Sequence, residues 1–268
     1  MGSETFGRER LVPLAIAFDR GEDAADAVVH AFGLRRVALG ELPVRLQAAR
    51  RDEHATVSAT LGYCKRNIDP TMPLITPLPA DHSPEVATLD AFFTQTLGFT
   101  PNSVLTMLRR PEIAQAFMQL NKAVMVNAGQ LTSEQKRLIG HLASATTGCR
   151  YCEAHTALAA RRFGTTDERL QQLWLFRQSE YFTPAEKAAF EFAIAAASVP
   201  NAVDEAIAAE LRAHWSEGDI VEMLGVIALF GFLNRWNDSM GTALEPDAMS
   251  VGQRDLAARG WTAGKHGG

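Results

Sequence analysis

Three cysteines in 268 residues, Cys64, Cys149 and Cys152, are too few to staple a disulfide scaffold. Charge of one sign is not in excess either: 26 Lys and Arg stand against 31 Asp and Glu, and the net charge of −5 supplies no basic footprint for nucleic acid or an anionic membrane. The longest apolar stretch, Ile220 to Leu233, is interrupted by Glu222 and falls short of the roughly 20 residues of a membrane span. It is expected to be a buried core helix. Near the N-terminus, Arg8 and Arg10 precede a short apolar run, Leu11 to Ala17, which is broken by Pro13 and followed by Asp19 and Arg20. No signal peptide is expected there, and the location expected is cytoplasmic. Nowhere do apolar and polar residues alternate with period two over a useful length, which argues against a β-sheet.

What is present is 47% hydrophobic and 21% charged residues, enough apolar matter for a sizeable core. Residues 1–71 hold neither helical nor strand periodicity for long and are set apart as an extension, folded or not. Met72 is a candidate start of a shorter protein. Pro73, Pro77 and Pro79 make 72–82 a linker, because proline removes amide donors and fixes φ. A helical domain is expected over 83–246, with 247–268 as a C-terminal tail. Ser83-Pro84-Glu85 suits a helix start, and the helix it opens should end at Gly98. Short helices follow over Ser103 to Arg109 and from Ile113 toward Gly129. Thr132 with Gln135, Thr183 with Glu186 and Ser216 with Asp219 have capping-box spacing. The fold class is therefore all-α. Leu131-Thr132-Ser133-Glu134-Gln135-Lys136 is echoed by Phe182-Thr183-Pro184-Ala185-Glu186-Lys187, as two related helical units or as similar caps on unrelated helices.

The chemistry concentrates in Cys149-Arg150-Tyr151-Cys152-Glu153-Ala154-His155. Thr146-Thr147-Gly148 should end one helix and let another begin, with Cys149 in its first turn. Cys152 and His155 then follow at intervals of three, so two thiols and an imidazole share one face. A sulfur nucleophile must be a thiolate, and a helix N-terminus or a nearby imidazole lowers a thiol pKa from its usual value of about 8.5. Thiolate attack on a hydroperoxide leaves a sulfenic acid, which a second thiol converts to a disulfide. An external thiol or dithiol reductant must then reset the pair, and no bound cofactor is required. The two thiols compete for the attacking role: Cys149 gains more from the helix dipole, and Cys152 stands nearer His155. Zinc is the rival, since two cysteines and a histidine make a three-ligand set, although no second CxxC or HxxxH supplies a fourth ligand. An inert buried pair is the third reading. Glu153, about 100° around the helix from Cys152, is expected to be solvated.

Gly148 to Thr156 resembles the redox motif of the carboxymuconolactone decarboxylase and alkylhydroperoxidase D-like family, in its peroxidase-related branch. The likeness extends from about Ser83 to Glu245 and takes in Asn234-Arg235-Trp236-Asn237-Asp238. It implies an all-helical homo-oligomer that reduces hydroperoxides, with Cys152 peroxidatic, Cys149 resolving and His155 as base. Two departures stand out. The family often has a glutamate about twelve residues before the first cysteine, where this chain has Arg137, and its histidine commonly follows the second cysteine by four residues, where this chain has Thr156. His141 is a candidate relay member or a packing residue. The decarboxylase branch implies an alternative, a lyase that binds an anionic lactone through Arg137, Arg235 and His155. Against a substrate role, Trp236 is expected in the core or a subunit contact, and Asn234, Arg235 and Asp238 are expected to cap and pair at a helix end. A non-enzymatic thiol sensor is a further alternative.

Overall fold

The computed structural model describes residues 73–79, 82, 92–125 and 129–268. The extension over 1–71, Cys64 and the helix start at Ser83 lie outside these residues. The described part is helical, with no strand among the described residues. After helical residues 92–96 come α1 (Asn102–Met107), α2 (Pro111–Met125), α3 (Ser133–Thr147), α4 (Arg150–Arg162), α5 (Asp167–Gln172), α6 (Pro184–Ala197), α7 (Glu205–His214), α8 (Glu217–Met240) and α9 (Pro246–Val251). No helix among the described residues is long and apolar enough to cross a membrane.

Local chemistry sets these boundaries. Thr132 caps α3, Thr183 caps α6 and Ser216 caps α8, each in a reciprocal capping box that satisfies two otherwise orphaned N–H groups. Gly148 ends α3 in the left-handed region at φ 78°, which other residues reach only with strain, and so lets the chain reverse directly into α4. The two echoing caps thus both form, and the helices they open, α3 and α6, pack against each other.

The core is built on α3. Leu138, Ile139 and Leu142 are at most 1% exposed and pack with residues of α4, α6 and α8, and each such side chain contributes about 1.5–3 kcal/mol on burial. Helices α3 and α8 come so close at Gly140 that a Cβ there would lie 2.3 Å from Phe230 Cε2. A buried ion pair joins the same helices: Lys136, wholly buried, pairs with Glu222 and donates to the Val124 carbonyl at 3.0 Å. Glu222, the charge that interrupts the apolar run, is therefore a tie between helices. The run itself is buried on one face only. Met223, Val226, Ile227, Leu229 and Phe230 face inward, while Val221, Leu224 and Phe232 are exposed. The expectation of a buried core helix is corrected accordingly, because the neighbouring helices cover one side of α8.

Residues 247–268 continue the fold onto α4. Trp261 packs against Gly252 and donates to the Arg150 carbonyl at 3.1 Å, and His266 is buried with Nδ1 2.7 Å from the Thr242 carbonyl.

Candidate active site

The α3–α4 reversal presents both thiols at the positive end of α4. Cys149 is the N-cap rather than a first-turn residue, with extended backbone (φ −79°, ψ 98°), because Gly148 completes its turn one position earlier. Cys152 sits in the first turn. Both thiols are free and almost fully buried, packed with Tyr151 against Leu233 and Leu244. Asn237 of α8 donates from Nδ2 to Cys152 Sγ at 3.5 Å. Burial pushes the Cys152 thiol well up, and the Cys149 sulfur adds to that shift against the opposing pull of Asn237.

One turn further, His155 lies over the Tyr151 ring, with centroids 4.0 Å apart. Its Nδ1 is 2.9 Å from the Tyr151 carbonyl and its Nε2 is 2.7 Å from Glu245 Oε2. Glu245 also accepts from the Tyr151 hydroxyl, at 2.9 Å, and from the Asn102 backbone N–H. Burial alone would raise the Glu245 carboxyl, but the charge of His155 and the surrounding donors outweigh it and hold the group below its ordinary value. Tyr151 is pushed up by burial and by Glu245, and stays a neutral donor.

Glu245 is the residue that sequence reasoning missed. It is 94 positions from Tyr151 and sits before Pro246 at the start of α9, so its local signal is only that of a helix cap.

The other candidates are dispersed. His141 is buried against Trp174, with Nδ1 3.1 Å from the Glu153 carbonyl and 3.0 Å from Thr156 Oγ1, and burial draws its pKa down to about 4. It is a neutral packing residue. Glu153 is 6% exposed and not solvated as expected. Trp174, Leu256 and Trp261 line the same pocket and cover it, and its carboxylate takes a hydrogen bond from Arg150 at 3.1 Å. The polar stretch in α8 lies short of the helix end and divides by face. Asn234 is buried with neither amide atom hydrogen-bonded, Arg235 is exposed, the Trp236 indole donates to Thr106 Oγ1 at 3.0 Å, and Asp238 pairs with Lys265 at 2.9 Å. Among the described residues, no three His, Cys, Asp or Glu side chains group as metal ligands.

Two cavities approach α4. One, of about 650 Å³, is lined by Arg137, His155, Thr156, Phe163 and phenyl rings from 92–93 and α8. The other, of about 590 Å³, is lined by Cys149, Thr146, Thr147, Asn234 and Arg235 among others. Cys152 lines neither and stands between Cys149 and His155 along the helix.

Residues 111–195 match the model of the carboxymuconolactone decarboxylase family. The chain is 32% identical to the debrominase Bmp8, covering 66% of this chain and 95% of that one at a TM-score of 0.61. A cysteine-to-alanine variant of Bmp8 in complex with 2,3,4-tribromopyrrole is 31% identical, with a TM-score of 0.62. An alkylhydroperoxidase AhpD core, an uncharacterized peroxidase-related protein from Ralstonia eutropha JMP134, is 25% identical over 64% of this chain and 88% of that one, with a TM-score of 0.55.

Proposed function

Since the chain belongs to the carboxymuconolactone decarboxylase family, in its alkylhydroperoxidase D-like and peroxidase-related branch, we propose that it is a thiol-dependent peroxidase that reduces hydroperoxides through Cys149 and Cys152. The observation that carries this reading is the pair of free thiols at the start of α4, with the Glu245-held imidazole of His155 one turn beyond. Cys152 gives up its proton and attacks the outer oxygen of ROOH, forming S–O as O–O breaks. The leaving alkoxide takes a proton and departs as ROH. In this reading His155, one turn beyond Cys152 and facing a cavity, supplies that proton. Cys149 then displaces water from the sulfenic acid to give the disulfide. Because Cys149 faces the second cavity, an external dithiol can attack its sulfur there and return both thiols.

The test combines mass analysis with turnover. One equivalent of an organic hydroperoxide should remove two hydrogens, mapped to a Cys149–Cys152 link, and a dithiol should then sustain peroxide consumption. Oxidation of neither thiol faster than free cysteine would end this reading. A second reading rests on the likeness to Bmp8: the same thiol pair could reduce an aryl C–Br bond, giving C–H, bromide and the disulfide. Bromide release from a polybrominated pyrrole without peroxide turnover would favour it.

The exposed apolar residues Val221, Leu224 and Phe232 of α8, with Ile113 and Leu120 of α2, suit contact with a second copy of the chain. Sedimentation velocity at micromolar concentration is expected to show a species larger than the monomer.

A further inference from the structure

The cavity in front of His155 holds a charge that the thiol chemistry does not use. Arg137 is only 7% exposed. Its guanidinium lies 3.7 Å from the centroid of the Phe163 ring, and its hydrogen bond is from Nη1 to the Ser133 carbonyl at 2.9 Å. It enters no ion pair among the described residues, in contrast with the half-buried arginines elsewhere: Arg161 pairs with Asp167 and Asp255, and Arg169 with Glu134 and Glu186. Burial lowers its pKa to about 10, which leaves it protonated at neutral pH. A guanidinium that lines a cavity offers it a planar fork of N–H donors that matches a carboxylate.

The surroundings say what kind of anion fits. Phe92, Phe93, Leu97 and Phe230 supply an apolar wall, Lys122 adds an exposed cation, and no Asp or Glu among the described residues lines the cavity. Its volume of about 650 Å³ is far larger than hydrogen peroxide requires and lies within the roughly 300–1,000 Å³ of pockets for drug-sized ligands. We propose that this cavity is a binding site for an amphiphilic monocarboxylic acid, with its carboxylate on Arg137 and its hydrocarbon part among the phenyl rings. The preferred substrate is then a carboxylate-bearing organic hydroperoxide, its reactive group at the His155 end. That last step rests on the peroxidase reading; the binding site does not.

Two measurements on the full chain separate the claims. In calorimetric titration, octanoate should bind, 1-octanol should bind about 10- to 100-fold more weakly, as expected for loss of a charge-assisted contact, and Arg137→Gln should remove the difference. Equal affinity for acid and alcohol in the wild-type protein overturns the site, a comparison that stands even if Arg137→Gln does not fold. In the second measurement, a carboxylated alkyl hydroperoxide and its methyl ester are compared as substrates. A lower KM for the acid, lost in Arg137→Gln, supports the substrate assignment, and equal KM values overturn it. Octanoate binding without reduction of either hydroperoxide would leave the site standing and remove the peroxidase reading together with the substrate assigned from it.

Discussion

The cavity in front of His155 is walled by phenyl rings around one buried guanidinium, whereas the cavity at Cys149 mixes small aliphatic side chains with hydroxyls, the unpartnered amide of Asn234 and the charges of Arg235 and Asp238. Helix α8 contributes to both, through Leu229 and Phe230 on one side and Ala228, Gly231 and Asn234 on the other. If the chain is the peroxidase proposed above, the contrast separates two tasks on one pair of sulfurs: admitting an organic oxidant and meeting a reductant. Both thiols are almost fully buried, and Cys149 alone of the two lines a cavity.

The comparison breaks most sharply at the thiols. Cys152→Ser is expected to reduce peroxide turnover by at least about a thousandfold, while Cys149→Ser should still oxidise once, to a sulfenic acid at Cys152 that a dimedone-type reagent traps. Mass mapping that places the sulfenic acid on Cys149 instead would exchange the tasks of the two cavities. Next in size is Glu245→Gln, which leaves His155 without its carboxylate. The oxidation step should slow by roughly a hundredfold, the scale of positioned acid–base catalysis, and stability should fall by about 3 kcal/mol, as when a buried pair loses one partner. Because the Glu245 pKa is depressed in the fold, that contribution is present above an unfolded value of about 4.3 and is lost as pH falls through the lower folded value. An acid denaturation midpoint unchanged in the variant would count against the assignment.

A smaller change sharpens the contrast between the cavities. Gly140→Ala places a methyl against the Phe230 ring, which lines the His155 cavity alone. A loss of about 1–3 kcal/mol is expected from thermal unfolding, with KM raised for a bulky hydroperoxide and the rate of disulfide reduction by a dithiol unchanged. The weakest effect on turnover is expected at His141, which lines neither cavity. His141→Gln should keep activity near that of the parent. It should also flatten the pH dependence of stability between about 6.5 and 4, where the parent loses stability on acidification because the unfolded imidazole binds a proton that the buried one refuses.

Much of the helical framework is legible without coordinates. Thr132, Thr183 and Ser216 act on amides within three residues, and Gly148 acts on its own φ, so their signals are complete in a short window of sequence. The spacing of Cys149, Cys152 and His155 likewise gathers them at the start of α4. Glu153 shows where such reasoning ends. Its angle around the helix is correct, but whether that angle meets water depends on Trp174 and Trp261, which arrive from elsewhere in the chain.

The sequence by itself determined the helical class, the capped boundaries and the presence of two thiols and an imidazole near the start of one helix, since all of these depend on neighbours within a turn or two. Tertiary structure alone decided that Glu245 meets His155, that Arg137 is buried without a carboxylate among the described residues, and that Cys149 and His155 open onto different cavities. These relations join groups from separate helices. The packing of α3, α4, α8 and the C-terminal segment brings them together through non-directional apolar burial, which leaves no local mark on the residues that finally touch.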